Sequence, residues 1–236
     1  LDIFAPHVPG RSPAPVLVFI HGGYWRALDK SEHSFLAPAF TREGVCVVMV
    51  NYALCPGTPQ APVTVPQIVR QVERALGWVW GNIERHGGDP GRITVAGHSA
   101  GGQLAAMLLT SVWPLLGDGW PDGLVRNALS ISGIHDLEPI MHTPFLQSVL
   151  HLTEQHVLQA SPARLQAPSQ GIVYSAVGGD ESAEFLRQAR LLQDAWGSRA
   201  VPRHQVLAGL NHFSILDALA QPGHDLHHMA LNLLRA

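Results

Sequence analysis

The 236-residue chain is 46% hydrophobic and 14% charged, which excludes a disordered segment and suits a single domain over 1–236 with a large core. Its formal net charge of -3, with Lys30 as the single lysine, leaves no basic patch for nucleic acid and no cationic face for a membrane. Two cysteines, Cys46 and Cys55, are too few for a disulfide framework; with no signal-peptide layout and no apolar run of roughly 20 residues, a soluble cytoplasmic protein is expected. The chain opens at Leu1 rather than Met, so further amino-terminal sequence is expected ahead of it.

Leu1-Asp2-Ile3-Phe4 predicts a short strand, and a Pro/Gly loop over 7–15 follows. Val16-Leu17-Val18-Phe19-Ile20 is continuously apolar, as a strand buried on both faces must be, and it empties into His21-Gly22-Gly23-Tyr24-Trp25. Scattered apolar positions over 31–43, interrupted by Pro38, lead through Gly44 to a second buried strand, Val45-Cys46-Val47-Val48-Met49-Val50. Residues 55–62 form a proline-rich loop. Val65, Ile68, Val69, Val72, Leu76, Val79 and Ile83 recur at steps of three and four, which predicts a long amphipathic helix ended by Gly87-Gly88-Asp89-Pro90.

Arg92-Ile93-Thr94-Val95-Ala96 then enters the turn Gly97-His98-Ser99-Ala100-Gly101 and leaves through Gly102-Gln103-Leu104-Ala105-Ala106-Met107, so strand, sharp turn and helix succeed one another directly. Ala128-Leu129-Ser130-Ile131-Ser132 predicts a further buried strand, running into Gly133-Ile134-His135-Asp136. Over 139–168 the periodicity breaks into short helical runs, read as a cap or rim insertion. Gly171-Ile172-Val173-Tyr174-Ser175-Ala176-Val177 resumes the sheet and ends in Gly178-Gly179-Asp180-Glu181-Ser182. Phe185, Ala189, Leu192 and Trp196 mark a helix, His204-Gln205-Val206-Leu207 a last strand, and 226–234 a closing helix beyond Asn211-His212-Phe213. Alternation of strands and helices predicts an α/β fold, a mostly parallel sheet with helices on both faces.

In such a sheet reactive groups collect beyond the carboxyl ends of the strands. A serine hydroxyl is a poor nucleophile until a base takes its proton. Ser99 is therefore the expected nucleophile, His212 its base, and Asp180 the carboxylate that fixes the imidazole tautomer. Their chain order, serine then acid then histidine, is that of the strand-turn-helix hydrolases. Asp136 is the rival acid, read instead as ordering its own loop. The developing oxyanion calls for N–H donors on unobstructed backbone, which assigns the amides of Gly22, Gly23 and Ala100. Tyr24, Trp25, Phe145 and Phe213 are candidate stacking partners for an aromatic substrate, and His98 a pocket-lining residue. No metal and no cofactor is expected.

His21-Gly22-Gly23-Tyr24-Trp25 together with Gly97-His98-Ser99-Ala100-Gly101-Gly102 resembles the α/β-hydrolase superfamily in its hormone-sensitive-lipase-like branch. Trp25 after the glycines, Gly179-Asp180-Glu181-Ser182, Glu184-Phe185, Arg187-Gln188 and Asn211-His212-Phe213 are similar in particular to the kynurenine formamidase (arylformamidase) family. Asn51-Tyr52-Ala53-Leu54-Cys55-Pro56 departs from the Tyr-Arg-Leu-Ala-Pro form common in that branch. The resemblance implies an α/β-hydrolase fold with a small cap. It also implies a metal-independent hydrolase that removes a formyl group from an aryl amide such as N-formylkynurenine. A carboxylesterase for short-chain esters and a non-catalytic ligand-binding relative stay open as alternatives. The expected partner is a small aromatic amide or ester, with neither nucleic acid nor membrane, and a homodimer is compatible with the chain.

Overall fold

Alternation along the buried strands decides which helix packs where. Val16, Val18 and Ile20 face one core, while Leu17 and Phe19, one residue out of phase, face another. The computed structural model describes residues 1–7 and 13–236; residues 8–12, inside the predicted Pro/Gly loop, lie outside the described residues. The described strands are β1 (Asp2–Phe4), β2 (Ala14–Ile20), β3 (Cys46–Val50), β4 (Gly57–Thr58), β5 (Ala61–Pro62), β6 (Gly88–His98), β7 (Asn127–Ile131), β8 (Val173–Gly178) and β9 (Arg203–Leu207). β4 and β5 make a small separate hairpin, and the other strands form one sheet in the order β1-β3-β2-β6-β7-β8-β9.

Within that sheet β1 runs antiparallel to β3, and every other neighbouring pair is parallel. Val48, Val18, Val95, Ala128 and Val173 stand side by side across five strands, all fully buried. A one-residue slip of any strand would exchange its two faces and break this row, so the register is strongly specified. The parallel strands consequently deliver their carboxyl ends to one edge, where Ile20 neighbours Gly97 and His98 neighbours Ile131.

The helices are α1 (Ala37–Thr41), α2 (Val65–Asn82), α3 (Ala100–Thr110), α4 (Glu138–Met141), α5 (Pro144–Leu150), α6 (Glu154–Ala160), α7 (Ala183–Ala200), α8 (Ser214–Ala220) and α9 (Asp225–Arg235). Leu76 of α2, Leu104 of α3 and Leu192 of α7 join Val16, Val18 and Ile20 in one core. Phe40 of α1, Ile215 and Leu219 of α8, and Met229 of α9 join Leu17, Phe19 and Met49 in the other. Burying each such side chain stabilises the fold by about 1.5–3 kcal/mol relative to leaving it exposed. The long helix expected from Val65 forms, entered through Thr64, whose N–H donates to Gln67 Oε1 at 2.8 Å.

Two segments differ from the sequence pattern. The scattered stretch over 31–43 divides into a 3-10 turn, Lys30–Leu36, and α1, because Pro38 is accommodated only in a first helical turn. α8, between His212 and the closing helix, is seven residues long, too short for a 3.6-residue period to stand out. The 139–168 stretch holds most of α4, all of α5 and α6, and the turn Pro162–Arg164. Ile140, Leu146, Leu150 and Val157 seat these short helices on the first core. Among the described residues no helix is long and apolar enough to cross a membrane.

Candidate active site

β6 ends at His98 and α3 begins at Ala100, so Ser99 alone makes the turn between them. Its backbone lies at φ 57° and ψ -117°, a conformation that costs an L residue about 1–3 kcal/mol. Three hydrogen bonds hold it there. Ser99 N–H donates to the Ile131 carbonyl at 2.8 Å, and the Ser99 carbonyl accepts from the Gly102 and Gln103 amides at 2.9 and 3.2 Å. The flanking glycines are required by contact: a Cβ on Gly97 would stand 2.0 Å from the Gly101 carbonyl oxygen, and one on Gly101 2.0 Å from that of Ile20.

His212 lies beyond β9, and its Nδ1 contacts Glu181 Oε2 at 2.6 Å. The carboxylate partner is thus Glu181 and not Asp180, which corrects the expectation from the sequence. The turn after β8 explains the exchange. Asp180 donates its N–H to the Leu210 carbonyl at 3.0 Å, leaving its residue exposed, while the next residue turns inward. Glu181 Oε1 accepts from the Ser132 hydroxyl at 2.5 Å and from the Gly178 amide at 2.9 Å, and its side chain is fully buried. Burial alone would raise its pKa, but the bonds from His212, Ser132 and Gly178 outweigh that and hold it below the ordinary carboxylate value. Asp136 instead pairs with Arg164 at 2.9 Å and orders its own loop, as its sequence context suggests.

The His212 ring is clamped between two others. Phe185 packs against it at a centroid distance of 4.2 Å and His98 at 4.5 Å, both tilted. His98 is buried, its Nε2 has no partner among the described residues, and burial, with His212 adding to it, pushes its pKa down to about 3. It therefore presents a neutral ring to His212 and adds no competing positive charge. Ser99 and His212 line the same cleft without a direct hydrogen bond between them.

Gly22 packs directly on the nucleophile: a Cβ there would fall 2.8 Å from the His98 carbonyl oxygen and 3.0 Å from Ser99 Cβ. The Tyr52 hydroxyl lies 3.0 Å from the carbonyl oxygens of both His21 and Gly22. Because each peptide is planar and trans, turning those carbonyls toward Tyr52 turns the amides of Gly22 and Gly23 away from it. Burial raises the Tyr52 phenol well above its usual pKa, so the hydroxyl remains a donor. The His21 ring stacks on Tyr52 at 4.4 Å and is braced by Asn51 Oδ1 at 3.1 Å. The amides of Gly22, Gly23 and Ala100 have no acceptor among the described residues. Of the three residues, Gly22 packs on Ser99, Ala100 follows it in the chain, and Gly23 lines the same cleft. Nothing in the sequence marks Tyr52 or Ser132 for the site: Tyr52 keeps the tyrosine that opens the Tyr-Arg-Leu-Ala-Pro form, and the departures fall at Ala53 and Cys55.

The cleft has a volume of about 840 Å³ and is lined by Tyr24, His98, Phe145 and Phe213 among others. Trp25 is not among them, which corrects its assignment to substrate. The side chain is completely buried, and its indole Nε1–H donates to Gln103 Oε1 at 3.0 Å. Gln103 is itself fully buried on α3, and its Nε2 donates to the Ala160 carbonyl at the end of α6, at 2.8 Å. Among the described residues no three His, Cys, Asp or Glu side chains are grouped to hold a metal ion. Cys46 and Cys55 are buried free thiols, and burial pushes both up to about 11, far from nucleophilic character.

Known proteins resemble this chain along its whole length. The BD-FAE family profile matches residues 1–114, and that of the Carboxylesterase family matches 68–164. Kynurenine formamidase of Danio rerio is 32% identical over 241 aligned residues, covering 99% of this chain and 77% of its own length. A crystal structure from Silicibacter sp. tm1040, 32% identical, superposes with a TM-score of 0.80 over 100% of this chain and 80% of that one. An esterase of Pyrobaculum calidifontis, 19% identical, shares the fold at a TM-score of 0.78 over 99% and 80% of the two chains.

Proposed function

This chain belongs to the kynurenine formamidase family of α/β-hydrolases, and from that premise we propose that it is a metal-independent serine hydrolase that removes the formyl group of an aryl formamide such as N-formylkynurenine. The observation that carries the catalytic part is the 2.6 Å contact of His212 Nδ1 with Glu181 Oε2, on the wall of the cleft that holds Ser99. The choice of a formyl amide rests on the family.

In this reading Ser99 Oγ attacks the formyl carbon while His212 Nε2 takes its proton. Glu181, already ionised and bonded to Nδ1, stabilises the imidazolium that forms. Negative charge gathers on the former carbonyl oxygen, where the amides of Gly22, Gly23 and Ala100 receive it. Collapse of the tetrahedral intermediate breaks the carbon–nitrogen bond, and His212 returns the proton to the departing arylamine. Water, deprotonated by His212, then attacks the formyl ester of Ser99 and releases formate. Tyr24, Phe145 and Phe213 offer faces to the arylamine ring.

The match of residues 68–164 to the Carboxylesterase family favours a second reading, hydrolysis of short-chain esters by the same groups. One panel separates the two: N-formylkynurenine against p-nitrophenyl acetate and butyrate, with wild type and Ser99→Ala. Rapid ester turnover with N-formylkynurenine untouched would remove the formamidase assignment. Loss of every activity in Ser99→Ala, by a factor on the order of 10⁵ or more, is the expected result for the nucleophile. Failure of a fluorophosphonate probe to label Ser99 would instead favour a ligand-binding protein without catalysis.

A further inference from the structure

Formyl transfer at Ser99 uses no permanent cation, yet the cleft contains one. Among the described residues Arg26 is the one Lys or Arg that lines it. Arg26 follows the glycines of the oxyanion loop, is exposed, and forms no ion pair with any described residue. Its one side-chain hydrogen bond to a described residue, from Nη1 to the Phe145 carbonyl, is long at 3.4 Å and ties it across to α5. A guanidinium has five N–H donors in a planar fork, so most of this one is free to meet a planar anion.

The opposite charge comes from elsewhere on the lining. Asp217 of α8 and Glu32 of the Lys30–Leu36 turn line the cleft on two elements packed against each other. Glu32 already accepts the Asp29 amide at 2.9 Å, whereas the Asp217 carboxylate has no hydrogen bond to any described residue. Phe145 and Phe213 share the cleft with these charges, 63% and 79% exposed, and offer an aromatic ring two faces. An apolar cleft with an unpaired cation on one element and an unpaired carboxylate on another suits a ligand that is aromatic in its body and zwitterionic at one end.

We propose that Arg26 anchors a carboxylate of the leaving group while Asp217 faces an ammonium, so that the cleft selects aryl formamides whose arylamine bears an amino-acid end. The inference rests on the formamidase reading and assigns specificity to residues outside the catalytic groups. A simple ester or an unsubstituted anilide would gain nothing from either charge.

The test is the ratio of kcat/KM for N-formylkynurenine to kcat/KM for formanilide, which has the same reacting bond and no charge. In Arg26→Gln the ratio is expected to fall about five- to tenfold through KM, the size of a partly exposed, bidentate ion pair. Arg26→Lys should recover part of the loss, and Asp217→Asn should lower the ratio about two- to threefold. Raising the salt concentration from about 50 to about 500 mM should lower the wild-type ratio and lower that of Arg26→Gln less, since only the Asp217 contact is left to screen. Matching thermal midpoints for the variants would show that folding is not the cause. A ratio unmoved by Arg26→Gln, with both formamides hydrolysed, overturns the charge assignment alone. A wild type that hydrolyses neither formamide overturns the formamidase reading and this assignment with it.

Discussion

Two adjacent carboxylates in one turn have opposite fates, and their separation shows what a sequence can and cannot specify at the scale of a residue. Gly-Gly-Asp-Glu announces a carboxylate beyond β8, but which one points inward depends on a single peptide, the one whose Asp180 N–H is taken by Leu210. Composition and spacing are blind to that. Glu181→Gln is expected to lower kcat by a factor on the order of 10³–10⁴, as loss of the imidazole's carboxylate does in a serine triad, while Asp180→Asn changes it less than about twofold; equal losses in the two variants would refute the assignment. Tyr52 is the second such residue, invisible until its hydroxyl is seen against two carbonyls. Tyr52→Phe should lower kcat on the order of tenfold with little change in KM, because it loosens amides that act on the transition state rather than on bound substrate. A rise in KM with kcat intact would assign Tyr52 to substrate binding instead.

Elements were legible where length and period gave them a signature. The buried strands announced themselves as unbroken apolar runs, α2 by its stripe, and the elbow by the direct passage from β-branched residues through small ones into helix-forming ones. α8 and the 3-10 turn before α1 did not, being short pieces fixed by what they pack on. Trp25 failed for a related reason. Its place in a loop at the active edge suggests access to substrate, but its indole is drawn into the interior by a partner on α3. The elbow itself supplies an element-scale prediction. Gly97→Ala places a methyl 2.0 Å from the Gly101 carbonyl oxygen, so strand and helix must part. Denaturant titration should show a loss of about 1–3 kcal/mol, accompanied by loss of Ser99 labelling by a fluorophosphonate; unaltered stability would mean that the turn is looser than its geometry indicates.

At the scale of the whole molecule, the two cores enclose polar groups that must stay uncharged for the chain to remain folded. His98 and His135 are both buried, and burial pushes each from the ordinary imidazole value of 6.5 down to about 3. Above the ordinary value both the folded and the unfolded chain keep them neutral, so they contribute no pH dependence. As the pH falls from there toward 3, the unfolded chain takes up protons that the folded chain refuses, and stability drops. The expected slope is about 1 kcal/mol per pH unit for each histidine, measurable by urea titration at about pH 7 and pH 5. A folding free energy that is flat across that interval would contradict the burial of both rings.

Gln103 connects three parts of this molecule through one side chain, accepting from the oxyanion loop at one end and donating to the cap at the other. The connector is polarised. An amide has an oxygen on one side and an NH₂ on the other, and here each faces the only kind of atom it can satisfy. Exchange for glutamate would keep the length and shape but set a second oxygen against the Ala160 carbonyl, at a fully buried position. The glycine loop beside Ser99 and the short helices over 139–168 are therefore joined by a directional plug, which seats in one orientation and has no acidic counterpart.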